Sequence, residues 1–276
     1  MEEARTRISR EIAAAYGREA VEIIDRGSYR TPSGRVVSIA AEIAFAVEGT
    51  KPYPPDALVP DSRRGTYSTT IAVENETTLC SAKRLRDAGA NPVALNFASA
   101  THPGGGFLSG ARAQEEYLAR SSALYACLRG NAMYAYHAAR RDALYSNYAI
   151  YSPAVPVFRS DEGTLLDEPY CVGIITSPAV NANALEPSRS QEILPAMWSR
   201  ILKVLSIGLL HGHDSIVLGA WGCGAFGNDP LQIALLFQRA LQHNFTGAYR
   251  HVAFAIVDGT RERKFIGPFE RVFRRA

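Results

Sequence analysis

Apolar and polar positions along this chain fall into alternating blocks that predict strand, helix, strand in repeated order. Pro92–Phe97 (PVALNF), Cys171–Ser177 (CVGIITS) and Asp214–Ala220 (DSIVLGA) are short, nearly continuous apolar runs, the pattern of strands buried on both faces. Thr69–Glu74 and His251–Val257 read as two further strands, and Ile150–Arg159, interrupted by prolines, as a strand near an edge. Helical spacing covers Glu2–Asp25, with Ile8, Ile12, Ala15, Val21 and Ile24 on one face and Gly27 after it. Thr77 is placed to cap a helix that runs to about Ala88, and Asn228-Asp229-Pro230 joins a capping residue to a proline at the first helical position. Further helices are predicted at Leu118–Tyr134, Ser188–His211 and Phe265–Arg275, whereas Tyr134–Tyr151, rich in Tyr and Arg, is expected to wrap the surface. Arg35–Val47 fits either a strand followed by a helical turn or one longer helix, and Gly49–Arg64, with four prolines, reads as a loop. A strand, a helix and a strand in that order imply a parallel crossover and an α/β sheet.

Composition narrows the picture. The 276 residues suit one decorated α/β domain, with no internal repeat or low-complexity segment. A net charge of +3, with arginines spread along the chain, argues against dedicated duplex nucleic-acid binding but tolerates a polyanionic substrate. Cys80, Cys127, Cys171 and Cys223 form no CxxC pair and are expected to be reduced thiols of a cytoplasmic protein. The N-terminus lacks the apolar core of a signal peptide, and the apolar run near Val204–Leu210 is too short to cross a bilayer, so no membrane association is expected.

The chemistry concentrates in Thr101–Tyr117, THPGGGFLSGARAQEEY, between an apolar strand and a helix. Gly104, Gly105 and Gly106 remove the side chains from one loop, so that backbone N–H groups are able to approach a ligand. Gln114-Glu115-Glu116 then sets two carboxylates near a helix start. Singly, each feature fits a plain structural role, a turn or a helix end that complements its dipole. Together they point to chemistry on a phosphorylated sugar. A second glycine loop, Trp221-Gly222-Cys223-Gly224-Ala225-Phe226-Gly227, also follows a strand and precedes a helix. Both loops are expected at the carboxyl edge of the sheet, where ligands of α/β proteins bind, and two such loops would grip a diphosphate from opposite sides. Neither carries the lysine of a nucleoside-triphosphate loop. The six histidines show no metal-ligand spacing, so neither a metal nor a cofactor is expected.

The order NFASATHPGGG, a short spacer, then QEE resembles the signature of poly(ADP-ribose) glycohydrolases of the microbial, bacterial type, and the resemblance runs from about the first helix to the C-terminus. It implies a three-layer α/β/α macrodomain-like fold with a mixed central sheet and an N-terminal helical extension. The single domain would span residues 1–276, with the extension over about 1–65 and the macrodomain core over about 66–276. It implies hydrolysis of the ribose–ribose bond of poly(ADP-ribose), with release of ADP-ribose. By carry-over, Glu116 would protonate the leaving ribose oxygen and then activate water, Glu115 would hydrogen-bond sugar hydroxyls, and Gln114 would support the loop. Asn96 would bond the distal ribose or fix the loop as a buried amide. Ser99 stands where many macrodomains have Asn, which puts a ribose contact there in doubt. The second loop resembles the macrodomain phosphate loop, with Phe226 packing on the distal ribose or adenine. Implied partners are poly(ADP-ribose), ADP-ribose and ADP-ribosylated proteins, met by a monomer.

Two adjacent helical residues point about 100° apart and cannot flank a sugar from both sides as a glycosidase carboxyl pair does. One Glu must therefore do the proton work alone. Like-charge repulsion from Glu115 and from the substrate diphosphate is expected to make Glu116 a competent acid mainly once substrate is bound. His102 is expected to shape the loop, Asn181 and Asn183 to serve either turn or ligand, and the Tyr and Arg residues of Tyr134–Tyr148 to pack rather than bind. Three rivals remain: a non-catalytic ADP-ribose-binding macrodomain, a hydrolase for single ADP-ribose units, and an unrelated nucleotide-binding protein.

Overall fold

The computed structural model describes residues 8–274, so the first residues of the Glu2–Asp25 helix and the end of the Phe265–Arg275 helix lie outside the described residues. Helix α1 (Arg10–Arg26) starts at a Ser9 side-chain cap and ends at left-handed Gly27. Its buried face is Ala13, Gly17, Ala20, Ile23 and Ile24, whereas Ile12 is exposed, so the large-residue face read from the sequence is off by one position. The small residues allow close approach: a Cβ at Gly17 would meet the backbone of Phe107, in the segment just after the triple glycine. Arg10 Nε also donates to Ser109 O at 2.9 Å. The N-terminal helix thus braces the loop that carries the chemistry.

Arg35–Val47 resolves as the first of its two alternatives. Strand β1 (Ser28–Arg30) pairs antiparallel with β2 (Val36–Ser38), and α2 (Ala40–Glu48) follows. The proline loop after it contains β3 (Lys51–Tyr53), an edge strand of the main sheet, so the first 65 residues are not purely helical. Next come β4 (Thr70–Glu74), α3 (Thr78–Asp87, capped by Thr77) and β5 (Pro92–Phe97), as the sequence predicts.

The predicted Leu118–Tyr134 helix is instead three short ones, α4 (Gln114–Ser121), α5 (Leu124–Leu128) and α6 (Ala132–Arg140). Ser122 leaves the helix to form a bridge with Val157, and Gly130 adopts positive φ before the last of them. Strands β6 (Ala149–Arg159) and β7 (Leu165–Ser177) are antiparallel; β3 covers β6 only over Ala149–Tyr151, and beyond it the Ser122–Val157 bridge and the bond from Ala123 N–H to Pro156 O take over that edge. Then follow α7 (Ile193–Leu210), β8 (Ser215–Leu218), α8 (Pro230–Arg239), β9 (His251–Ala255) and α9 (Ile266–Phe273).

The main sheet runs β3-β6-β7-β5-β8-β9-β4, parallel from β7 to β4 and antiparallel at β3-β6-β7. One apolar layer holds residues of α7, α8 and α9 and the other residues of α1 to α6, which makes the expected three-layer α/β/α arrangement on a mixed sheet. Pro187–Leu210 is long and apolar enough to cross a bilayer by length and composition, contrary to the sequence reading. Here it packs as core: Met197, Ile201, Val204 and Leu205 are fully buried, and Arg200 and Lys203 are buried with them.

Candidate active site

Strands β5 and β8 are parallel neighbours, so the glycine loops that follow them emerge side by side at the same sheet edge. Between and beyond them lies a cavity of about 580 Å³. Gln114, Glu115, Glu116, Ser99, Gly222, Gly224, Ala225 and Phe226 line it. Gly104, Gly105, Gly106, Asn96, Cys223 and Gly227 stand behind these residues and do not line it.

The two loops are used differently. In the first, Gly106 N–H donates to Glu116 Oε1 at 2.9 Å and Gly105 N–H to His102 O at 3.0 Å, while Gly104 N–H favours the charged form of Glu115. Gly104 and Gly105 have φ of 73° and 60°, and a Cβ at Gly105 would collide with the Glu116 carboxylate. The N–H groups of Gly104 and Gly106 thus serve the protein's own carboxylates. His102 supplies a turn carbonyl here, the shaping role expected of it.

In the second loop, the N–H groups of Cys223, Gly227 and Asn228 close turns on Ala220, Gly224 and Gly222. No hydrogen bond from the N–H of Gly222, Gly224, Ala225 or Phe226 occurs among the described residues. The loop is held from behind. Asn183 Nδ2 donates to Ala225 O at 2.9 Å, Asn228 Nδ2 to Val180 O and Gly222 O, and Trp221 Nε1 to Ser177 O. Asn183 thus serves the loop's shape, while Asn181 N–H bonds Ala143 O in the neighbouring segment. Cys223 is buried with its thiol turned to Trp221 O, and burial pushes that thiol well above its ordinary range, so it is no nucleophile.

Helix α4 starts without a side-chain cap, directly at Gln114. Gln114 accepts from Phe97 N–H at 2.9 Å and donates to Leu95 O at 2.8 Å and Thr78 Oγ1 at 3.0 Å, which staples the helix start to β5 and α3. Glu115 is 3% exposed; its Oε2 accepts from Ser99 N–H at 2.6 Å and its Oε1 from Asn96 Nδ2 at 3.3 Å. Asn96, fully buried, also donates to Thr176 Oγ1. It sits beside Glu115 as a buried amide that bonds that carboxyl. Burial pushes Glu115 up to about 8, against the pull of Ser99 N–H and Asn96 and with the added push of Glu116. Glu116 is set apart by its free oxygen: Oε2 is enclosed and has no hydrogen-bond partner among the described residues.

Several cavity residues were not legible in the sequence. Tyr145 has φ of 55° and its ring lies 6.1 Å from that of Phe226, so it belongs to the wall and not to surface packing. Thr77, Thr78, Val257, Phe265, Tyr117, Arg120 and Arg159 line the cavity as well, with Tyr117 OH bonded to Thr77 Oγ1. Only tertiary packing unites these segments; the signal available was that most follow a predicted strand or sit one helical turn from QEE.

The chain as a whole is similar to known proteins. Residues 17–160 match the family model described as microbial-type PARG, catalytic domain. Among curated proteins none matches. The crystal structure of poly(ADP-ribose) glycohydrolase from Thermomonospora curvata is 49% identical, covers 95% of this chain and 100% of its own, and superposes with a TM-score of 0.91. The same enzyme bound to the inhibitor ADP-HPD is 48% identical over 95% of this chain and 100% of its own, with a TM-score of 0.89. Poly(ADP-ribose) glycohydrolase from Deinococcus radiodurans in complex with ADP-ribose is 40% identical over 87% of this chain and 99% of its own, with a TM-score of 0.80.

Proposed function

The chain belongs to the microbial-type poly(ADP-ribose) glycohydrolase family, and from that premise we propose that it hydrolyses the ribose–ribose O-glycosidic bond of poly(ADP-ribose), releasing ADP-ribose, with Glu116 as the proton-transferring group. The observation that carries the assignment within the site is the uncommitted Oε2 of Glu116. Gly106 N–H fixes the other oxygen of the same carboxyl and aims the group, while both oxygens of Glu115 are already engaged by the scaffold.

The terminal ADP-ribose unit lies with its diphosphate on the free N–H groups of the second loop and its distal ribose against Phe226 and Tyr145. Glu116 gives its proton to the ribose oxygen that leaves; the C–O bond breaks with its electron pair going to that oxygen. The positive charge that develops on the anomeric carbon is offset by the diphosphate held nearby. Water then adds to the same carbon, and Glu116 takes back the proton that the water releases. Glu115, kept near neutral by burial, accepts from or donates to sugar hydroxyls. All proton and charge work is thus assigned to the chain and the substrate, and activity is expected to be the same with and without a metal chelator. A cytoplasmic monomer acting on ADP-ribosylated proteins belongs to the same proposal, supported by four free cysteines.

Incubation with poly(ADP-ribose) and, separately, with a protein carrying single ADP-ribose units tests the reading. Monomeric ADP-ribose from the polymer, with the single units left attached, is the expected result. Release of the single units alone would assign a mono-ADP-ribosyl hydrolase instead, and binding without release a reader module.

A further inference from the structure

The hydrolysis above gives no task to Arg120. It lies on α4 one turn beyond Glu116, on the same side of the helix and about 6 Å further along the axis. Only 7% of it is exposed, yet it lines the cavity. A guanidinium offers five donors, and among the described residues this one makes a single hydrogen bond, from Nη1 to Ala111 O at a long 3.4 Å. Its neighbours are occupied: Arg159 donates to Glu19, Arg120 O and Gly163 O, and Asp161 accepts from Tyr117 and Thr77. The Glu116 carboxylate one turn back acts on its charge and the Tyr117 ring lies 5.7 Å from it, but neither takes up its remaining donors, and a buried guanidinium with open donors favours an arriving anion.

Trp221 and Phe226 pack with the apolar layer of α7 and α8 and Leu118 of α4 with the other layer, so the second glycine loop and the helix that carries Arg120 reach the shared cavity from different layers. A polymer cut at Glu116 has one unit on each side of the scissile oxygen. The unit kept by the second loop uses that loop's N–H groups. The leaving unit begins at the 2′-oxygen of an adenosine whose 5′-phosphate is one ribose away, a span of the order of the Glu116–Arg120 step.

Resting on the hydrolysis proposed above, we infer that Arg120 anchors the 5′-phosphate of the leaving adenosine unit, a second anion subsite that reads the polymer beyond the bond being cut. It makes the enzyme prefer a leaving group that carries phosphate.

Two dinucleotide-like substrates test this, ADP-ribosyl-(1″→2′)-adenosine and the same compound with a 5′-phosphate on the leaving adenosine. For the wild type, kcat/KM is expected to favour the phosphorylated compound about tenfold or more, the worth of a charge-assisted contact. Arg120→Met should erase that preference and Arg120→Lys keep part of it, with ADP-ribose affinity unchanged in both. Since any effect of Arg120 on Glu116 acts on both substrates, the ratio reports the subsite alone. No preference in the wild type, or a preference retained in Arg120→Met, overturns the inference. Should Arg120→Met fail to fold, seen as lost ADP-ribose binding, the wild-type ratio and Arg120→Lys decide. Should the wild type cut neither compound, the hydrolysis reading fails first, and AMP titrated into ADP-ribose-saturated protein decides the subsite: binding that Arg120→Lys weakens supports it, and no binding overturns it.

Discussion

The two glycine loops look alike in sequence and do opposite things. Both follow neighbouring parallel strands, and both bring backbone N–H groups to one sheet edge. The first uses its N–H groups on the protein, holding Glu116 and supporting the charge of Glu115. The second is tied down from behind by Asn183, Asn228 and Trp221, and the N–H groups of its cavity-lining Gly222, Gly224, Ala225 and Phe226 make no hydrogen bond among the described residues. The glycines of the first loop permit contact with a catalytic side chain; those of the second permit contact with a ligand. Substitutions in the two loops should therefore fail in different ways.

The largest effect is expected at the group that the first loop aims. Glu116→Gln keeps the hydrogen bond from Gly106 but has no proton to exchange, so kcat on the polymer should fall about 10²–10⁴-fold with ADP-ribose affinity, measured by calorimetry, changed little. Comparable loss of ADP-ribose affinity would place Glu116 among the binding groups. Next, Gly105→Ala puts a Cβ into the Glu116 carboxylate at a position with φ of 60°. Thermal unfolding should show a cost of about 1–3 kcal/mol, and polymer turnover should fall more than ADP-ribose affinity. Gly224→Ala is its counterpart: a Cβ there meets nothing within 4 Å. Stability should stay within about 0.5 kcal/mol of the wild type, and ADP-ribose affinity, not turnover at saturation, should drop several-fold. If the two alanine variants show the same pattern, the division of labour between the loops is wrong.

A pH-dependent effect concerns the carboxyl that burial strains. Glu115 titrates at about 8 in the folded chain against an ordinary 4.5. Between those values the folded state holds a proton that the unfolded chain has released, so the group's contribution to stability declines as pH rises through that range. Glu115→Gln removes this dependence. Its stability relative to the wild type should be near zero at pH 4 and grow to a few kcal/mol by pH 8, while polymer cleavage falls. A stability difference independent of pH would contradict the raised proton affinity.

Much of this arrangement was legible before the structure. Strand-length apolar runs located β5, β7 and β8, cap chemistry located the starts of α3 and α8, and the GGG–QEE order located the Glu pair. The use of each N–H group was not legible, because it depends on where residue 116 returns to meet residue 106 across the intervening loop. The face of α1 was misread because apolar size was taken as the signal, whereas the helix packs through Ala13, Gly17 and Ala20 to come close to the loop. Helix continuity past Ser121 was misread because the competing partner, Val157, lies far along the chain. Tyr145 and Arg120 were missed for the same reason: neither stands in a motif, and each reaches the cavity only through tertiary packing.

The division between the loops is tested most directly by backbone amide spectra recorded with and without ADP-ribose. The amides of Gly222, Gly224, Ala225 and Phe226 should shift and gain protection from exchange on binding, while those of Gly104, Gly105 and Gly106, already bonded within the protein, should hold their positions. A response in the triple glycine as large as that in the second loop would contradict the account.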